Sequence, residues 1–285
     1  MNRRLGINTW VWGSRLDEDS IENLARRISS FGYSVIELPI EFVGDWDPYR
    51  VRDITQECGL QVITVGAMAA GRNLIRATES QIEATQQYLI ECLRISAIVQ
   101  SPTLAGPFYS ETGRTWQSNR EERKADYACL REALIPVLEH AERENVVLAI
   151  EPLNRYETSL INTVEQLAES LGPLMGDFLG MALDTFHMNI EEKSIDLAIR
   201  QAGRHLAHLQ VCGNDRGAVG DDHFDWRPLW LSLDEVGYSG PVCVESFTSE
   251  NETIATAASI WRPLAKTQDD LARDSLDKLR SLEQG

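Results

Sequence analysis

The chain has little positive charge. Against 44 Asp and Glu it sets only 27 Lys and Arg, for a formal net charge of −17. Nucleic acid and anionic membranes both call for a basic face, so neither is an expected partner. Cysteine is sparse. The five (Cys58, Cys92, Cys129, Cys212, Cys243) are an odd number, widely spaced and set in apolar contexts. That excludes a disulfide framework and a cysteine zinc site; they read as small buried hydrophobes in a reducing compartment. No apolar stretch is long enough to span a bilayer, and the start "MNRRLGINTW" holds no run of signal-peptide length. The expected location is cytoplasmic.

What is present is an ample core, with 43% of the 285 residues apolar. Short β-branched runs alternate with longer segments of helical period. The expected strands are Leu5–Trp12, Val35–Pro39, Gln61–Ala67, Ile98–Gly106, Val147–Leu153, Leu179–Phe186, Leu206–Gly213 and Val242–Phe247. Helices are expected between them, among them Ser20–Ser30, Glu79–Ser96, Glu121–Glu144, Val164–Leu171, Ile195–Arg204 and Trp226–Val236. Gly or Asn often marks the return to strand, as at Gly32, Gly59, Asn145, Gly203 and Gly237. Eight β/α units without a composition break predict one α/β domain over 1–285. Near-continuously apolar strands favour a closed (β/α)8 TIM barrel over an open sheet. The polar stretch 265–285 reads as a C-terminal helix packed outside the barrel or at a subunit contact.

Barrels carry their chemistry at the C-terminal ends of strands. Four such ends are polar here: "VLAIEPLNRYET" gives Glu151, "MALDTFHMNIEE" Asp184, "AHLQVCGNDRG" Gln210 and "VCVESF" Glu245. Their spacing places them on consecutive strands, the fifth to the eighth. A single acid ending a strand usually caps a helix, and Asp184 before Thr185 has that option. Glu245, inside an apolar run, needs a partner. Three carboxylates aimed at one point cannot all stay ionised without a cation, and a divalent metal on oxygen ligands answers that. His208, one pleat below Gln210, suits a supporting role, with service as a ligand the alternative. His140 and His205 fall on helices and read as surface residues.

The set "AIEP", "LDTFHMNIEE", "NDRG-x-x-G-x-x-H-x-D-W" and "VESF", in this order, resembles the sugar isomerase/epimerase family of xylose-isomerase-like barrels. Its nearest members are similar to D-tagatose/D-psicose 3-epimerases. The resemblance implies that Glu151, Asp184, Gln210 and Glu245 hold the metal and that Glu151 and Glu245 are also the acid/base pair. It further implies that His187 and Arg216 grip the ketose near its carbonyl and O2, with Glu157 near O1. Gln210 departs from the pattern: ketose 3-epimerases usually have histidine there, whereas hydroxypyruvate isomerases have glutamine. An amide oxygen leans toward Mn²⁺ or Mg²⁺, with Co²⁺ a further candidate.

The implied activity is 3-epimerisation of a free ketose through an enediolate. The alternatives are a hydroxypyruvate-isomerase-like aldose–ketose isomerase and a 3-keto-sugar (C-glycoside) lyase. Related DNA-repair endonucleases need more strand-end histidines and a basic groove; a sugar-binding protein without catalysis would not keep both bases. No phosphate cradle marks strands 7 and 8, so the expected partner is a small unphosphorylated sugar, acted on by a homo-oligomer, dimer or tetramer. Trp10, Trp12, Phe108, Trp116 and Phe247 are candidates to wall the pocket. The polar segment "FYSETGRTWQSNREE" is a candidate lid.

Overall fold

Eight short apolar runs pair side by side in chain order, all parallel, and the last pairs with the first. The computed structural model describes residues 3–14 and 16–284, with the side chains of Thr253 and Ile254 outside the description. The strands are β1 (Leu5–Asn8), β2 (Val35–Pro39), β3 (Gln61–Val65), β4 (Thr103–Gly106), β5 (Val147–Ile150), β6 (Leu179–Asp184), β7 (Leu206–Val211) and β8 (Val242–Val244). Around them lie α1 (Glu18–Phe31), α2 (Pro48–Glu57), α3 (Glu79–Ile98), α4 (Arg120–Glu144), α5 (Val164–Leu171), α6 (Thr185–Glu191), α7 (Ile195–Ala202), α8 (Trp226–Glu235), α9 (Glu252–Ala257) and α10 (Gln268–Gln284). The expected (β/α)8 barrel is what forms. Among the described residues no helix is long and apolar enough to cross a membrane.

Several strands stop earlier than their apolar runs, because polar side chains turn the chain. Asn8 Oδ1 accepts from the Trp10 N–H, which starts a short 3₁₀ turn where the strand was expected to reach Trp12. Asp184 Oδ1 accepts from the Phe186 N–H and caps α6, where strand was expected through Phe186. The expected fourth strand began at Ile98, which is instead the last residue of α3, and Thr103 opens β4. Helix starts carry the signals they should: Asp17 caps α1, and Thr78 with Gln81 and Asn119 with Glu122 close capping boxes at α3 and α4.

Helix α10 is not simply polar. It buries Leu271, Ala272, Leu276 and Leu279 against the outside of the barrel. Trp12 Nε1 donates to Asp269 and the Tyr33 hydroxyl to the Ala272 carbonyl. The cysteines divide: Cys92, Cys212 and Cys243 are buried as expected, but Cys58 is half-buried and Cys129 exposed, on the outer face of α4. His140 lies on α4 and His205 on a short 3₁₀ turn, both half-buried.

The ring closes tightly between β8, β1 and β2. A Cβ on Gly6 would lie 2.5 Å from Cys243 Sγ and 2.8 Å from Val35 Cβ. Gly6→Ala is therefore expected to destabilise by about 1–3 kcal/mol through overpacking, read as a drop of several degrees in the thermal midpoint. An unchanged midpoint would show that this seam has slack.

Candidate active site

The four polar strand ends arrive at one end of the ring. Glu151 directly follows β5; its N–H donates to the Gly106 carbonyl (3.0 Å) and its own carbonyl accepts from the Tyr109 hydroxyl (3.0 Å). Asp184 closes β6 and sits in register with Gln210 on β7. That register depends on an irregularity: Met181 pairs with Leu206 and Ala182 with His208, so β7 gains one residue on β6. Glu245 directly follows β8, its N–H donating to the Val211 carbonyl at 3.0 Å. All four are buried. Glu151, Gln210 and Glu245 line a cavity of about 410 Å³ with Glu157, His187 and Arg216. Asp184 stands behind that wall.

Burial shapes the electrostatics. It pushes Glu151 well above the usual carboxylate range, and the charges of Glu245 and Asp184 push further. It lifts Glu245 to about 8 against the pull of Arg216, and it raises Asp184, again opposed by Arg216. Arg216 Nη1 donates both to Asp184 Oδ2 and to Glu245 Oε2, the latter at 2.6 Å. Burial opposes the charge on Arg216, but Asp184 and Glu245 raise its pKa nonetheless. The guanidinium lies over the rings of Phe186 (4.1 Å) and Phe247 (5.0 Å). Its backbone is left-handed (φ 69°), which costs a non-glycine residue roughly 1–2 kcal/mol and is held by Ser246 Oγ donating to its carbonyl. Arg216 was expected to grip a sugar; here it pairs first with acids.

One guanidinium does not balance Glu151, Asp184 and Glu245. An oxygen-rich, anionic, buried donor set of this kind fits a hard divalent cation. Ligand atoms of Glu151, Asp184 and His187 lie within 4.8 Å of one another, as do those of Glu37, His208 and Cys243. The second trio lies deeper in the barrel and is already joined, with His208 Nε2 2.5 Å from Glu37 Oε1.

His187 is fixed by what faces it. The Asn154 backbone N–H can only donate, and it donates to Nδ1 at 3.0 Å. Burial, then Arg216, holds the ring well below its usual pKa, so it is neutral. The proton therefore sits on Nε2, 3.6 Å from Glu151 Oε1 and 3.8 Å from Asp184 Oδ2. Arg216 Nη2 lies 3.2 Å from that same nitrogen, so two donors converge. Glu157, expected beside them, accepts from Asn154 Nδ2 at 2.7 Å and is raised by burial.

Sequence reasoning missed Glu37. It lies within β2, wholly buried, and accepts from Asn8 Nδ2, His208 Nε2 and Gln210 Nε2. A lone acid in "VIELP" was the available signal, the one that had marked Glu245 in "VCVES". His208 thus bonds to Glu37 below the cavity wall. Of the candidate aromatics, Trp10 and Phe247 line the cavity and stack at 5.7 Å. The others do not: Phe108 fills the space over Gly66 and Gly106, Trp116 packs beside Arg76 and Arg114, and Trp12 turns outward to Phe31. From the candidate lid, Glu111 and Thr112 reach the cavity. The neighbouring chain is tied down, Gly113 N–H to the Glu157 carbonyl and Trp116 N–H to Ser159 Oγ.

Comparison with known proteins agrees with this fold. The family model described as xylose isomerase-like TIM barrel matches residues 25–282. The chain is 30% identical over 279 residues to a probable ketose 3-epimerase of Synechocystis sp., covering 97% of this chain and 96% of that protein. It is 28% identical over 258 residues to a D-psicose 3-epimerase of Enterocloster bolteae, covering 88% and 84%. A solved L-ribulose 3-epimerase superposes with a TM-score of 0.89 at 26% identity, covering 99% of this chain and 95% of that one.

The raised carboxyls predict a pH dependence. Folded Glu245 keeps its proton to about 8, whereas an ordinary glutamate loses it near 4.5. Its contribution to metal-free stability is therefore complete below the lower value and is lost as pH rises through the upper. The thermal midpoint of chelator-treated protein should fall between about pH 5 and pH 8, and added divalent cation should stabilise most at the alkaline end, where no proton need be displaced. Melting curves across that interval check this; a metal-free midpoint that climbs with pH contradicts it.

Proposed function

The chain belongs to the xylose isomerase-like TIM barrel family, and from that premise we propose that it is a sugar epimerase, a ketose 3-epimerase acting on a free ketopentose or ketohexose. The observation that carries this reading is the pair Glu151 and Glu245. They come from strands three places apart around the ring, face one cavity, and are both raised by burial toward the range where a carboxyl can exchange protons near neutral pH. The relatives named for ketose 3-epimerisation support it, and none of them favours the aldose–ketose isomerase or lyase alternatives.

Glu151, Asp184, Gln210 and Glu245 would hold one divalent cation, Mn²⁺ or Mg²⁺ with Co²⁺ also fitting, which would polarise the ketose carbonyl and offset the charge that develops there. One glutamate removes the C3 proton from one face; the electrons pass into an enediolate. The other glutamate donates a proton to C3 from the opposite face, and the configuration inverts. The Nε2–H of His187 and the guanidinium of Arg216 converge where an oxygen acceptor relieves their contact, which suits the carbonyl end of the sugar. Glu157 receives the adjacent hydroxyl. Trp10 and Phe247 wall the site against water.

The five unpaired cysteines suit the cytoplasm. Assembly into a dimer or tetramer is part of the proposal, to be checked by light scattering on the eluting protein.

Glu151→Gln and Glu245→Gln should each cost about 10²–10⁴-fold in epimerisation. The decisive experiment incubates cation-loaded enzyme with free ketoses in D₂O and follows deuterium at C3 by NMR. Deuterium at C1 with aldose formation would replace epimerisation by isomerisation; exchange at neither carbon across the panel would end the proposal. Gln210→His should keep a working site and move metal preference toward Co²⁺ or Zn²⁺. Unchanged preference would remove residue 210 from the ligand set.

A further inference from the structure

We infer that Glu37 is a positioning residue that fixes the amide of Gln210 so that its oxygen, rather than its NH₂ group, faces the cation. The inference rests on the ligand set proposed above. An amide is two-faced: turned over, it presents N–H bonds to a cation and ceases to be a ligand. A histidine in the same place has no such ambiguity, so a glutamine there needs something that tells its two ends apart.

Glu37 does this from below. Amide NH₂ groups can only donate, and those of Asn8 and Gln210 both meet one oxygen of Glu37, which must therefore accept from each. Glu37 Oε2 accepts from Gln210 Nε2 at 2.9 Å and from Asn8 Nδ2 at 2.5 Å, while Oε1 accepts from His208 Nε2 at 2.5 Å. The second hydrogen of Gln210 Nε2 goes to Glu245 Oε1 at 2.7 Å. Both hydrogens are spent, and Oε1 is the amide atom left for the cavity that Gln210 lines. With Oε1 turned downward instead, an amide oxygen would oppose the carboxylate of Glu37 inside a wholly buried cluster. Glu37 is itself held on two further sides: Asn8 lies opposite it across β1 and β2, and His208 reaches it from β7.

His208 adds a feature that a test can use. Its Nδ1 is buried and has no hydrogen-bond partner among the described residues. The ring can therefore move its proton from Nε2 to Nδ1 without breaking a bond at Nδ1. In Glu37→Gln the new amide oxygen accepts from Asn8 and Gln210, while the new NH₂ donates to the freed Nε2 of His208. The polarity seen by Gln210 is preserved. Glu37→Leu preserves neither.

Mn²⁺ is titrated calorimetrically into chelator-stripped wild type, Glu37→Leu, Glu37→Gln, Gln210→Leu and the double variant Glu37→Leu/Gln210→Leu, each first checked for a cooperative melt. Glu37→Leu should weaken binding about 10–100-fold, as loss of a supporting partner at metal sites does. Glu37→Gln should bind nearly as wild type, and the double variant no more weakly than Gln210→Leu alone. Should Glu37→Leu not fold, Glu37→Met, closer in length, carries the same comparison. Wild-type affinity in the Leu or Met variant, a Glu37→Gln as weak as Glu37→Leu, or losses that add in the double variant would overturn the inference while leaving the ligand set standing. No Mn²⁺ binding by wild type, or none lost in Gln210→Leu, would instead remove the ligand set and this inference with it.

Discussion

Arg216 donating at once to Asp184 and Glu245 is the interaction around which the mouth of the barrel is organised. It joins the ends of β6 and β8 across β7 through a single buried cation. To reach them the arginine takes a left-handed backbone, and that turn is held by hydrogen bonds from Ser246 and to Gly213. The arrangement is incomplete as charge. Glu151 has no such partner, and burial keeps protons on Glu151 and Glu245 that exposed carboxyls would ordinarily lose. On the proposed reading, acid/base capacity near neutral pH and affinity for a divalent cation are two expressions of one surplus of buried negative charge.

That surplus is placed by strand geometry. In a closed parallel ring, side chains of one parity point inward, so a one-residue slip would turn the polar set outward. The irregularity between β6 and β7 sets Asp184 beside Gln210 and Ala182 beside His208. Two layers result. The upper one holds the acids that face the cavity; beneath it Asn8, Glu37 and His208 form a hydrogen-bonded plug. Gln210 belongs to both, since its amide touches Glu37 below and Glu245 beside it.

The upper layer was legible in the sequence because it lies where strands end, and ends are marked by the change from apolar runs to "EP", "DT", "ND" and "ES". The lower layer was not. Glu37 sits among Val, Ile, Leu and Pro, two residues short of the end of its strand, and no count of strand ends reaches it. Strand lengths were overread for a related reason: apolar character continues past the last ladder bond, while the turn is set by single side chains such as Asn8 and Asp184. The aromatics misled differently. Composition marks Phe108, Trp12 and Trp116 as large apolar groups near the mouth, but whether each faces inward depends on loop paths that periodicity does not encode. Cys129 falls on the solvent side of a long helix whose apolar stripe is weakly drawn, so its apolar neighbours said little about its exposure.

The cavity draws its room and its reactivity from opposite halves of the ring. β5 to β8 and the segments that follow them bring Glu151, His187, Gln210, Arg216 and Glu245 to its wall, whereas β3 and β4 line it at their ends with Val65, Gly66, Ala105 and Gly106, ahead of the loops that carry Arg72, Glu111 and Thr112. None of those four small residues is among the groups proposed for the chemistry. Gly66 and Gly106 have no room for a Cβ, so a lineage can deepen or narrow what the barrel admits by exchanging the side chains of Val65 and Ala105 while the acids on the other arc stay untouched. Fit and catalysis are separately heritable in such a scaffold, and selection can act on either alone.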